Sequence, residues 1–241
     1  ARRLLAKQNL HANIVVGDTI REDKLADVIA DRVLAVPPLN VRLDDDAIND
    51  SDPRWTLRRP KKYDVDSAFI QIALAHLAPN GRAIVHTAPS TLHSRNDVLE
   101  SLMRSNQLDA VIMLPAGLAP GANIESCLLV IDRQRPPHTV EQQTPVLLVE
   151  LNDDETVRND ISEAFLEDVT DIWDRWDHTP IETSHAQTVT LAEVQQNDFN
   201  LTPSRYIKRA VWPRKLDQLD DEGEPESHFR PEVEMAILSG T

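Results

Sequence analysis

Apolar residues fall in short blocks separated by polar turns, and the spacing inside each block predicts its element. Leu4, Leu5 and Ala6 give the stretch from Arg2 to Asn9 a short helical stripe. Ile14-Val15-Val16, closed by Gly17-Asp18, predicts a strand with its end exposed. Leu25, Val28 and Ile29 mark a short helix, and Arg32 to Ala35 the next strand. After a polar loop from Asn40 to Asp66, interrupted by Pro53 and Pro60, the residues Phe69, Ile70, Ala73, Leu74 and Leu77 recur at helical spacing. A loop of that length usually serves binding or acts as a lid. Asn80-Gly81 turns the chain into a strand from Arg82 to Thr87. Leu99, Leu102 and Met103 predict a helix capped by Ser94, with Asp97 three residues later. Strands follow at Asp109 to Leu114, stopped by Pro115 before a turn region at Gly117 to Gly121, and at Ser126 to Asp132.

Strand and helix therefore alternate, which predicts an α/β fold with a mostly parallel sheet. The unbroken run Leu129-Val130-Ile131 suits a strand covered on both faces, and Val146 to Val149 adds a strand at the edge. The last third differs in texture. Ile161, Phe165, Val169, Ile172, Trp173 and Trp176 trace one side of a long helix, Thr190-Leu-Ala-Glu193 matches a capping box, and Thr202-Pro203 offers a helix start. Residues 217 to 231 are acidic, poor in apolar residues and read as a linker. The expected organisation is a catalytic-type domain over 1–152, a helical extension over 153–216 and an acidic tail over 217–241.

Composition narrows the class. At 41% apolar residues, with no run of about 18 of them, the 241-residue chain is expected to be soluble and to lack a membrane span. No secretory signal opens it, and the single Cys127, a small buried hydrophobe, fits a cytoplasmic setting and excludes an internal disulfide. The net charge of −15 opposes unaided binding to a phosphate backbone. Small basic groups at Arg2, Arg3 and Lys7, at Arg54, Arg58, Arg59, Lys61 and Lys62, and at Arg205, Lys208, Arg209, Arg214 and Lys215 read as solvated surface. His76, His86 and His93 lack a metal-ligand spacing, so no metal site is expected. Ser90 and Ser126 lack the base and carboxylate of a nucleophilic triad.

The chemistry concentrates after Ala35. In Val36-Pro37-Pro38-Leu39 two consecutive prolines cannot continue a buried strand, so the chain turns out of the sheet where open α/β folds place their sites. Four segments in fixed order, His11 to Asp18, Arg32 to Leu39, Asp66 through Leu77 to Pro89, and Leu108 to Pro115 leading to Asn123 to Val130, carry a resemblance. A fifth runs from Glu193 to Tyr206. Together the chain resembles the DNA adenine-N6 methyltransferase subunit of type I restriction-modification systems. The resemblance implies a Rossmann-like sheet that uses S-adenosylmethionine, an adenine flipped out of DNA, and a DNA-specificity subunit as partner. In that family the loop reads Asn, Asp or Ser, then Pro-Pro, then an aromatic residue. The polar side chain and the proline carbonyl accept from the adenine amino group while the ring stacks on the base.

This chain departs from the pattern at both flanks. Val36 cannot accept a hydrogen bond, and Leu39 offers apolar contact without a π face. Losing one buried acceptor costs about 1 to 3 kcal/mol, roughly one to two decades in rate if the bond matters in the transition state. Asp18 corresponds to a residue near the cofactor's adenine, and its alternative is a solvated turn aspartate; Asp66 is read as a helix cap or as a residue facing the substrate loop. The family's glycine loop and two strands precede the segment resembling Ile14 to Asp18, so the chain is expected to be truncated there and its sheet to keep an unsupported edge or recruit a partner. The expected function is a fragment or degenerate member of the methyltransferase family, silent as an isolated chain. The alternative is a non-catalytic module that docks a specificity subunit or a second copy of the chain.

Overall fold

The computed structural model describes residues 14–39, 41–44, 47–93, 96–116, 124–136, 144–150 and 163–208. The expected helix at Arg2 to Asn9, the cap Ser94, the turn region at Gly117 to Gly121, Ile161 and the tail from 217 lie outside them. Six strands form one sheet: β1 (Ala30–Ala35), β2 (Leu77–Thr87), β3 (Leu108–Leu114), β4 (Ser126–Asp132), β5 (Val146–Val149) and β6 (Ala186–Val189), in the order β1-β2-β4-β3-β5-β6. Four helices accompany them: α1 (Val65–Ala75), α2 (Asp97–Arg104), α3 (Glu163–Asp174) and α4 (Leu191–Gln196). None of the described helices is long and apolar enough to cross a membrane.

The sheet is mixed, where alternation had predicted mostly parallel pairing. β1 pairs parallel to β2 and β3 to β5, but β4 runs antiparallel to both β2 and β3, and β6 antiparallel to β5. The reason lies in the interval 115–125, whose prolines and glycines offer no helical period. A parallel return needs a crossover of about a dozen residues or more, normally a helix, and an antiparallel neighbour does not. β5 is also not the edge, because β6 adds a strand beyond it from within the region expected to be purely helical.

β4 is covered on both faces, which accounts for its unbroken apolar run. Cys127, Leu129 and Ile131 join one core with Ile70 of α1 and Leu99 and Leu102 of α2; Val130 faces the other, where Val169, Ile172 and Trp173 of α3 pack. Two expected elements do not form. Ile14-Val15-Val16 is not a strand and Val16 is 83% exposed, because a β-branched run without a ladder partner gains nothing from extension. The segment around Leu25 is a turn held by Asp23, whose Oδ1 accepts from the Leu25 N–H at 3.0 Å. The described residues of the loop 41–64 have a core of their own: Leu43, Ala47 and Ile48 pack with Ile20 and with Ala68 and Ile72 of α1. Buried Arg54 ties it down by donating to Thr19 O at 2.6 Å, Ile20 O at 3.0 Å and the Asp52 carboxylate.

Helix starts follow the caps. The Asn96 side chain accepts from Val98 N and Leu99 N to begin α2, taking the role expected of Ser94, and Thr190 with Glu193 completes a reciprocal capping box at α4. Gly81 is required by close approach: an added Cβ would lie 2.5 Å from Leu77 Cδ1. The two sheet margins differ. Outside β6 the chain returns on itself, with Thr183 N donating to Ala186 O at 2.7 Å and Thr188 N to Ile181 O at 2.9 Å. Outside β1 no described strand pairs, and Leu34 is 71% exposed.

One polar group organises the opposite end of the sheet from within. The β3–β4 register slips by one residue between Leu108 and Ala110, leaving Asp109 as a bulge. Its carboxylate is fully buried and receives Trp176 Nε1 at 3.3 Å, His178 Nε2 at 3.0 Å and an ion pair from Arg135 Nε at 3.0 Å. Burial pulls the Arg135 guanidinium below its usual range, and Asp109 opposes that shift. Asp109→Ala leaves Arg135 buried without its counter-charge. Urea denaturation is expected to show a loss of about 3 to 5 kcal/mol; a loss below about 1 kcal/mol would remove the network from the account of stability.

Candidate functional site

Because β1 and β2 are parallel, their carboxyl ends, Ala35 and Thr87, lie at the same margin of the sheet. The turn Val36 to Leu39 leaves the sheet there. Pro37 is buried and anchors it, Leu39 is half-buried, and Pro38 and Val36 are exposed, Val36 at 67%. The proline pair thus sits at a strand end, as the sequence implies, and the two flanking side chains remain aliphatic.

α1 brings a carboxylate to the same rim. Its cap is Asp64, whose side chain accepts from Ser67 N at 3.3 Å, so Asp66 is not the cap that one reading of the sequence made it. Asp66 instead lies buried in the first turn and accepts the Thr91 hydroxyl at 2.8 Å through Oδ2. Burial raises its pKa above the usual aspartate value, and the Thr91 hydroxyl, the Ala88 N–H and nearby His86 oppose that rise. Among the described residues Asp66 Oδ1 has no hydrogen-bond partner.

The end of β2 supplies the remaining groups. Cys127 on β4 contacts Thr87 Oγ1 at 3.1 Å, and burial pushes its thiol up to about 12, so it is no nucleophile. His86 is buried, with Leu128 of β4 as its ladder partner, and among the described residues neither ring nitrogen has a hydrogen-bond partner. Each buried polar atom left in this state costs about 1 to 3 kcal/mol. His76, in contrast, is satisfied at both nitrogens, by Val28 O at 2.8 Å and by Asp23 Oδ2 at 3.0 Å.

Asp18, the one candidate for cofactor binding, is not part of this rim's polar group. Its Oδ1 accepts from Ile20 N at 3.0 Å and Arg21 N at 3.4 Å, and Arg21 Nε stands 3.4 Å from Oδ2. That is the local turn aspartate of the alternative reading. The neighbouring cavity of about 270 Å³ is lined by Gly17, Thr19, Lys24, Val28 and His76. The space a side chain at Gly17 would take is already used by Lys24, whose Cε lies 3.1 Å from the built Cβ position. Two of the loop cations are likewise spent: Arg58 pairs with Asp64 and, at 2.9 Å, with Asp97, while Arg59 pairs with Asp50.

Comparison with known proteins decides the ancestry of this rim. Residues 4–214 match the N-6 DNA Methylase family. The chain belongs to that family. It is 24% identical over 222 residues to the type I restriction enzyme HindI methylase subunit of Haemophilus influenzae, covering 86% of this chain and 47% of that protein. It is also 24% identical over 223 residues to the MjaIX methylase subunit of Methanocaldococcus jannaschii, covering 84% and 40%. The type I restriction-modification methyltransferase subunit of Streptococcus thermophilus superposes with a TM-score of 0.64 at 22% identity, covering 79% of this chain and 41% of that one. This N-6 DNA methylase relative therefore spans less than half the length of the proteins it matches, and shares their α/β fold.

For S-adenosylmethionine, the family's cofactor, the described residue that the resemblance points to is Asp18. Asp18 is committed to its turn and Gly17 makes room for Lys24, so neither offers a cradle. Sequence reasoning placed the turn at Val36 to Leu39 but weighed His86 only as a metal ligand and did not foresee its burial without a partner among the described residues. The available signal was the register of β2, since a polar residue in a strand covered on both faces needs a partner.

Asp66 supplies a pH test. Its folded pKa is raised, so its contribution to stability is complete below the unfolded value and is lost as pH rises through the folded one. Asp66→Asn is therefore expected to raise Tm relative to the native chain at about pH 8 and to lose that advantage toward about pH 4. A Tm difference independent of pH would show that Asp66 is not a strained buried carboxylate.

Proposed function

We propose that this chain is the base-side portion of an adenine-specific DNA methyltransferase subunit of the type I restriction-modification class, and that it transfers no methyl group as an isolated chain. In a complete enzyme of this class the methyl group passes from S-adenosylmethionine to adenine N6, in company with a DNA-specificity subunit. The observation that carries the reading is the turn at the end of β1. It keeps the proline pair at the position the chemistry requires and lacks both reactive flanks. With Val36 no side chain there accepts from an adenine amino group, and with Leu39 base stacking worth about 1 to 3 kcal/mol is lost. A Rossmann-like origin of the sheet belongs to the same reading.

The free margin of β1 supports the second reading, a module that docks a specificity subunit or another protein copy. Leu34 and Val36 expose apolar surface beside the outer margin of β1, to which no described strand pairs, and this suits association better than solution. Both readings share a cytoplasmic protein that reaches DNA through a partner, since the charge of −15 gives no field of its own for phosphate.

Calorimetric titration with millimolar S-adenosylmethionine, followed by a radiolabelled methyl-transfer assay on adenine-containing duplex DNA, tests the proposal. No heat, no thermal shift and no transfer are expected. V36N with L39F is expected to leave the isolated chain inactive, because the cofactor side is the larger defect. Saturable cofactor binding followed by methylation of adenine would overturn the silent assignment.

A further inference from the structure

At the amino end of β2, away from the proline turn, lies a cavity of about 590 Å³, within the size range of small-molecule sites. Pro53 and Leu57 of the loop, Leu74 of α1 and Leu102 of α2 give it apolar walls. Besides His76, its lining includes Arg21, Arg54 and Arg133 against Asp23 and Asp52. The lining thus has a surplus cation in a chain whose net charge is −15.

All of these charges but one are answered locally. Arg54 binds Asp52 and the Thr19 and Ile20 carbonyls, Asp23 faces His76 at 3.0 Å and Arg54 at 3.9 Å, and Arg21 stands 3.4 Å from Asp18 and from Asp44. Arg133 is the exception. Its Nη1 donates to the Leu77 carbonyl and weakly to Ala78 O at 3.4 Å, and its Nη2 to Leu74 O at 3.1 Å, which closes the carboxyl end of α1. A guanidinium has five N–H groups, so Nε–H and one more remain without a partner among the described residues. Burial pulls this guanidinium below its usual range with no carboxylate opposing the shift, whereas Asp109 opposes it at Arg135.

We propose that this cavity binds a small organic oxyanion, a carboxylate or phosphate head on an apolar body, with Arg133 holding the head. Two free donors on one charged plane are what such a head requires, and hydrogen bonds of this charge-assisted kind are the strong ones. The apolar body lies against Pro53, Leu57 and Leu102. A cationic ligand does not suit the lining, because Asp23 and Asp52 already face Arg54. The site stands at the end of β2 remote from Val36 to Leu39, so it is independent of the base-side reading, and no covalent bond forms or breaks in it.

The full chain, labelled with ¹⁵N, is titrated with hexanoate, with hexyl phosphate and with hexanol, which has the body without the charged head. Saturable binding of hexanoate or hexyl phosphate that moves the Arg133 Nε–H resonance is expected, with hexanol weaker by about tenfold or more. The tighter of the two anions identifies the head group. R133Q removes the charge while keeping a donor for the α1 carbonyls, and anion affinity is expected to fall by about tenfold or more. Should R133Q fail to fold, the Nε–H resonance of the native chain still answers. Hexanol binding as tightly as the anions, anion binding with that resonance unmoved, or affinity retained in R133Q overturns the proposal. So does the lack of saturable binding of both anions to the native chain.

Discussion

The antiparallel insertion of β4 between β2 and β3 governs the rest of the molecule. It fixes which residues of β2 face each layer, and so where His86 and Thr87 finish at the rim. It also aligns Cys127 with the end of β2, closing one side of the site with an inert thiol hydrogen-bonded to Thr87. Were β4 parallel, as alternation alone suggests, the short interval after Pro115 could not bridge the sheet. The order β2-β4-β3 agrees with a connecting sequence that is short, rich in turn residues and without a helical period.

The bulge at Asp109 is the device that joins this sheet to the last third of the chain. A regular β3 would hold Asp109 in the ladder; the extra residue frees it to receive Arg135, His178 and Trp176. Together with β6, this contact makes the segment expected as a separate extension into a structural part of the sheet's second layer. A buried ion pair gives little net stability when intact and costs much when broken, so its effect here is chiefly to specify one arrangement.

Legibility in the sequence tracked how local the deciding physics was. Arg32 to Ala35, Ser126 to Asp132 and the capping box at Thr190 were readable because their patterns are complete within a few residues. Ile14 to Val16 looked like a strand on the same grounds, but strand formation needs a neighbour, and none of the described strands pairs with it. Asp64 and Asn96 took caps assigned to Asp66 and Ser94, a shift of two residues that local composition does not resolve. The turn at Val36 to Leu39 was placed because prolines act through covalent geometry. The open nitrogens of His86 were not, since they depend on how three strands and a helix meet.

The unequal margins of the sheet have a consequence for assembly. A sheet open at both sides can extend without limit, which is the geometry of fibres. Here the return from Ile181 to Thr188 lines one side, and among the described residues the outer margin of β1 has no strand paired to it. Two copies joined through that margin would leave no second open margin among the described strands. The margin lies on the side where the proline turn emerges, so whatever covers β1 would also come to lie beside that turn.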